Sequence, residues 1–408
     1  MRMATYLDRL KAGYHRFVDI RKTDDLFGHN IWTHGNTAGI GLHDPSQRLK
    51  RFAFRCLTCV FALQQYILVR DVVRAIRADD DDLAIRIGMF VIYSALSLLQ
   101  MISLDGNYGL FLQVREYFNS RLRRHCGGSQ AEAIRADLFR QSRRNILVAE
   151  IPVVAMSLAW AIWAREEYFH LVLDVGEDYQ WVVDFVDLFY GLPLVFWNNS
   201  MWIISLTMLS LLQNAVHELT VIARSFAAAF DQAMVESDEG QLPDHFWRSF
   251  DASFKASLAE YEQFLEMIAT LRALMSTFFL LKVLTVESLL AVTCFMTFKV
   301  TFQLITAFSY AIVFTVECYI FCNLVEQLND QREAIVECCQ HWRWPFPAEK
   351  AARLRHVRTM VLITEAYCQQ SFRFRCGQML DVSMEMFRMV LDTCYTLITF
   401  LQATKPAQ

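Results

Sequence analysis

The chain has 408 residues, 54% hydrophobic and 20% charged, with a mean hydropathy of +0.23, too apolar for an ordinary soluble domain of that length. Its net charge of −4 supplies no basic face for nucleic acid, so no nucleic-acid partner is expected. Phe occurs 32 times and Trp 9 times against 14 Gly and 7 Pro, a composition suited to long helices. The 11 Cys are scattered, with no paired CxxC motifs. Cys338, Cys339 and His341 lie close together without a fourth ligand, so neither a metal site nor a cofactor is expected.

In chain order, residues 1–51 form a basic N-terminal region, and the first apolar run begins near Phe52, too late for a cleaved signal peptide. Insertion is then directed by the first membrane helix. Seven segments, 52–69, 83–103, 146–164, 188–212, 273–295, 302–323 and 379–401, reach the ~20 mostly apolar residues that cross a bilayer. The connections after the second and sixth segments are rich in arginine (Arg115, Arg121, Arg135 and Arg143; Arg332, Arg353, Arg373 and Arg375). The connection 165–187 is acidic, with Glu166, Glu167, Asp174 and Asp184 among its residues. Basic loops stay in the cytoplasm, which predicts an inside N-terminus and an outside C-terminus. That is the reverse of a G-protein-coupled receptor, whose DRY and NPxxY motifs are also missing.

The connection 217–272 reads as helix on both sides of the turn-rich linker VESDEGQLPD. Residues 325–339 extend the sixth segment, and 351–373 lead into the seventh. The expected fold is therefore an all-α membrane protein with seven transmembrane helices and cytoplasmic helical extensions. Its layout is 1–51 cytoplasmic, 52–216 spans one to four, 217–272 a cytoplasmic helical connection, 273–326 spans five and six, 327–378 cytoplasmic helices, and 379–408 the last span with an outside tail. Apolar faces on helices that protrude below the bilayer need each other or a neighbouring subunit, which points to an oligomer.

Four charges fall inside spans: Glu150, Lys282, Glu287 and Glu317. They are costly in lipid and require partners that the sequence does not name; Lys282 and Glu287, five apart, share no helix face well. The last segment, MLDVSMEMFRMVLDTCYTLITFLQ, carries Glu385, Arg388, Asp392, Thr396 and Thr399 at three-and-four spacing, one polar stripe on an apolar rod. The stripe either packs against its own bundle or faces water.

Residues 314–402 resemble the tail of the insect odorant receptor family. His341-Trp342 closes the helix after span six, and Ser383-Met384-Glu385-Met386-Phe387 stands where the family has Ser-Leu-x-x-Phe. Thr393 to Leu401 then follows the family's Ser-Tyr-Ser-Tyr-Phe-like run without a gap, with Leu397 and Ile398 departing from it. The related gustatory receptors end in Thr-Tyr, five residues, then Gln-Phe; here Cys394 precedes Tyr395 and Gln402 comes one residue late, which favours the odorant branch.

The resemblance implies a ligand-gated cation channel of four subunits, with the last helix of each lining the pore and a helical anchor domain below the membrane. The chain lacks the enlarged connection of the co-receptor. It is thus expected to be a ligand-tuned subunit that works in a heterotetramer with odorant co-receptor subunits. Its place would be among the membrane lipids of a sensory-neuron dendrite's plasma membrane. By ungapped comparison an apolar gate falls at Phe400, with Tyr395, Thr396 and Thr399 beside it and Asp392 and Glu385 drawing cations. A salt bridge from Asp392 to Arg388 within one subunit is the alternative. Trp342, Ser383 and Phe387 are the family-matched anchor positions.

The implied pocket for a small volatile ligand lies in the outer half of the bundle. Span two offers Met89, Phe90 and Tyr93; span three Met156, Ala159, Trp160 and Trp163; span four Trp202, Leu206 and Leu209; span six Thr306, Ser309, Tyr310 and Val313. Such residues suit an aromatic volatile such as a phenol or an indole, and each also reads as core or interface packing. HExxH, GxSxG and phosphate-loop motifs are missing from every span, so no enzyme is expected. No internal duplication suggests a transporter. A homotetrameric gustatory channel is the runner-up.

Overall fold

The computed structural model describes residues 25–42, 45–123, 128–163, 180–238, 243–296, 302–341, 351–377 and 379–404. Ten α-helices account for almost all of them: α1 Gly28–Thr37, α2 Arg48–Arg77, α3 Asp81–Gly106, α4 Tyr108–Arg123, α5 Gly128–Trp163, α6 Gln180–Asp238, α7 Pro243–Met296, α8 Phe302–His341, α9 Ala351–Cys368 and α10 Met384–Thr404. A two-stranded antiparallel hairpin, β1 Arg375–Cys376 with β2 Leu380–Asp381, separates α9 from α10.

Among the described residues, three stretches are each long and apolar enough to cross a membrane: Arg48–Arg77, Phe246–Ala291 and Ala311–His341. The hairpin occupies the first residues of segment 379–401, so its helix starts only at Met384. Alternation at residues 371–376, exposed at odd positions and buried at even ones, is extended-chain patterning that a helix cannot satisfy.

α6, α7 and α8 contain 59, 54 and 40 residues. At 1.5 Å per residue they are roughly 90, 80 and 60 Å long, against ~30 Å for the hydrocarbon layer. Their surplus length packs together. Leu219, Ile222 and Phe226 of α6 meet Phe250, Phe254 and Tyr261 of α7, all buried. Edge-on ring pairs stitch that contact, Phe226 to Phe254 at 5.5 Å and Phe230 to Phe246 at 5.7 Å. Here the phenylalanine-rich composition finds its use.

The basic second connection folds back onto the bundle. α4 and the lower half of α5 carry its arginines inward. Arg121, 2% exposed, donates from Nε to Glu218 at 2.6 Å and from a terminal nitrogen to Glu260 at 2.9 Å; Arg135 adds a bond to Glu218 at 2.9 Å. The cluster joins α4, α5, α6 and α7. Nearby, Arg115 pairs with Asp25 at 2.6 Å. Burial pushes the Asp25 carboxyl up, but hydrogen bonds from Arg115 and Asn119 outweigh it and leave Asp25 below the usual carboxylate range.

α1 docks on α6 through Thr207. The threonine hydroxyl donates to the Ile203 carbonyl, so it accepts from Asn30 Nδ2 at 2.9 Å and from His34 Nε2 at 2.8 Å. Burial pushes the His34 imidazole down to about 3, so the ring is neutral with its proton on Nε2. The turn out of α1 needs Gly41, at φ +74°, where an added Cβ would overlap the Tyr108 ring. Gly41→Ala is expected to cost on the order of 1–3 kcal/mol, read as a lowered melting temperature of the purified chain.

Candidate functional site

Four helices bring an aromatic and ionic cluster together in the bundle interior. Trp202 of α6 stacks on Phe314 of α8 with centroids 5.1 Å apart and planes 14° from parallel. Tyr93 of α3 approaches Phe314 from another side at 6.0 Å. Beneath the stack lies Lys282 of α7, 1% exposed, its Nζ 2.5 Å from Glu317 Oε2 of α8 and 3.1 Å from Ser205 Oγ of α6. The ammonium also sits 4.3 Å from the Phe314 centroid and 5.9 Å from that of Trp202. Its three N–H bonds thus have a carboxylate, a hydroxyl and a ring face to meet.

This answers two of the four intramembrane charges. Lys282 pairs with Glu317, 35 residues away, and Glu287 is half-buried on α7. Glu150 lies on α5, its side chain outside the described set. Hydrogen-bonding capacity is left over in the cluster: Trp202 Nε1 and Glu317 Oε1 are buried with no partner among the described residues.

Of the sequence-predicted pocket residues, Tyr93 and Trp202 come together, and Leu206 and Leu209 are half-buried on the same helix as Trp202. Val313 is exposed, and its neighbour Phe314 takes the inward position. The signal for Phe314 was present: Ala311, Phe314, Cys318 and Phe321 form one buried stripe of α8, with Glu317 beside it. Met89 and Phe90 lie on α3, Met156, Ala159, Trp160 and Trp163 on α5, and Thr306, Ser309 and Tyr310 on α8, with side chains outside the described set.

The terminal helix has a fixed foot and an exposed face. Ser383 Oγ accepts from the Met386 N–H at 3.1 Å, an N-cap, and Glu326 of α8 accepts from the Met384 N–H at 3.1 Å. Met386, Val390 and Cys394 are buried, and Phe387 meets Tyr319 of α8 edge-on at 5.6 Å. Ser383 thus caps α10, while Phe387 and the Met384 N–H fasten it to α8 of its own subunit; Trp342 lies outside the described residues.

On the opposite face Glu385, Arg388, Asp392, Thr396 and Thr399 are all exposed, as are Tyr395 and Phe400 at 68% and 62%. Thr396 donates to the Asp392 carbonyl at 2.8 Å and Thr399 to that of Thr396 at 2.9 Å. Asp392 makes no ion pair with Arg388 among the described residues. The polar stripe is therefore turned away from its own bundle.

Long helices, with three stretches among the described residues apolar enough to cross a membrane, an ion pair sealed in their interior and a terminal helix with a polar outer face mark a multi-helix membrane protein. Residues 186–395, just over half of the chain, match the family described as 7tm Odorant receptor. The chain belongs to that family: it is an odorant receptor, a membrane chemoreceptor of olfaction and not an enzyme.

The fold is similar to the insect olfactory receptor OR5 from Machilis hrabei, with a TM-score of 0.69 and 8% identity over 95% of this chain and 99% of that one. It is similar also to the structure of OR5 from Machilis hrabei in complex with eugenol, with a TM-score of 0.60 and 12% identity over 96% of this chain and 100% of that one. At such identities the likeness speaks for the fold. Comparison with curated protein sequences gives no match.

Proposed function

We propose that the chain is the odorant-tuning subunit of a ligand-gated, non-selective cation channel, working in a heterotetramer with odorant co-receptor subunits in a dendritic plasma membrane. The observation that carries this reading is the free polar face of α10, which a helix surrounded by lipid would not present. Four such faces around an axis make a water-filled wall. In this arrangement Phe400 closes the path by dewetting, and Asp392 and Glu385 concentrate cations below it. Seven spans with an inside N-terminus put the foot of α10 at the cytoplasmic face.

The ligand enters above the Trp202–Phe314 stack, between α3, α5, α6 and α8. Apolar and aromatic walls hold a small volatile, and the Trp202 N–H and Glu317 oxygen, which have no partner among the described residues, favour one that carries a hydrogen-bonding group. Eugenol, bound by the similar receptor, is an aromatic of that type.

Single cysteines placed at Asp392, Thr396 and Thr399 should react with a charged thiol reagent and block odorant-evoked current in cells that also express the co-receptor. Cysteines at Met386 and Val390 should not. Block from the buried face, or no current in any subunit combination, would overturn the reading. Sugar-evoked current from the chain alone would move it to the gustatory branch.

A further inference from the structure

A second site lies at the foot of the terminal helix. A cavity of about 660 Å³ opens beside α7 and the segment that follows α9, lined by Arg272, Ser276, Gln369, Ser371, Arg373 and Arg375 among others, with no acidic residue among the described residues of its wall. Arg375 pairs with Asp381 at 3.2 Å. Arg272 and Arg373 have no carboxylate within ion-pair distance among the described residues.

The cradle is held in place by its buried side. Phe372, Phe374 and Cys376 point inward, so Ser371, Arg373 and Arg375 point outward together. Asn329 accepts the Phe372 N–H at 2.8 Å, Arg332 donates to the Gln369 carbonyl at 2.7 Å, and the Gly377 N–H donates to the Ser276 carbonyl at 3.1 Å. The backbone of the cradle is thus ordered before a ligand arrives, which lowers the cost of binding.

Guanidinium forks match phosphate oxygens two at a time, and serine hydroxyls and glutamine amides complete such a shell. The cavity has room for more than one phosphate group. Position adds a second argument. Arg272 adjoins segment 273–295, and Arg373 shortly precedes α10, where guanidiniums with no carboxylate beside them would oppose the passage of cations within a Debye length of ~8 Å. A bound anion removes that field.

We propose that this cavity binds a polyphosphorylated anion, the head group of an inner-leaflet inositol lipid or a free phosphate compound, and that occupancy neutralises the foot of α10. Its location at the inner face of the membrane rests on the topology proposed above; the binding does not.

The test uses the purified full-length chain in phosphatidylcholine nanodiscs, titrated with a fluorescent short-chain phosphatidylinositol bisphosphate. Saturable binding is expected, weakened about tenfold or more in Arg272→Gln/Arg373→Gln with the melting temperature unchanged. Soluble inositol trisphosphate that competes as well as the lipid assigns the site to free phosphates; much weaker competition assigns it to the lipid. Binding no stronger than to short-chain phosphatidylserine, or full binding by the double variant, overturns the proposal. The assay measures no current, so its failure leaves the channel reading intact, and a silent channel can still pass it.

Discussion

Glu317→Ala should strip the receptor from the cell surface, and Glu317→Leu combined with Lys282→Met should return it. The single change leaves an ammonium that is 1% exposed among apolar rings, with Ser205 and the Phe314 and Trp202 faces beside it among the described residues. Breaking a buried pair from one side costs about 3–5 kcal/mol, a large part of a typical folding stability of ~5–15 kcal/mol. Removing both charges takes away the desolvation penalty together with the attraction, so the double variant is expected to fold near parental stability. Surface biotinylation and melting in detergent measure both. Parental surface levels of Glu317→Ala would show that water or another group reaches Lys282.

Arg121→Ala is the second large loss, again about 3–5 kcal/mol, because Glu218 would be left 5% exposed with Arg135 alone and Glu260 would lose its bond from Arg121. Arg121→Lys should recover only part of it. Two carboxylates are gripped by different nitrogens of one planar group, which a point-charge ammonium cannot reproduce. Arg121→Ala/Glu218→Gln should lie between parent and single variant in a thermal melt. Equal melting of all four proteins would mean that the cluster contributes nothing net.

Helices and their faces were readable from the sequence because both are local. Apolar spacing predicted helix at 217–230, 246–271 and 325–339, where α6, α7 and α8 run, and the stripe on 379–401 was visible as a 3.6-residue period. Pairing between helices was not readable. Nothing local distinguishes Glu287, five residues from Lys282, from Glu317, thirty-five away; packing of α7 against α8 decides. Arg121 and Arg135 looked like topogenic charges because an arginine run reads alike whether solvated or folded onto carboxylates. Val313 and Phe314 show the limit of phase. An apolar helix in lipid is greasy all round, so a one-residue error in which side faces inward leaves the pattern unchanged. The short α1 carried too little apolar periodicity to be noticed before its contact with Thr207.

Glu326 holds the Met384 N–H, and Tyr319, two turns earlier on α8, holds Phe387. With two pins into a neighbouring rod, the terminal rod cannot swivel about its own axis independently. In the channel proposed above, a rotation that retracts Phe400 would therefore carry α8, and with it the Phe314 ring, so motor and latch would share a single shaft.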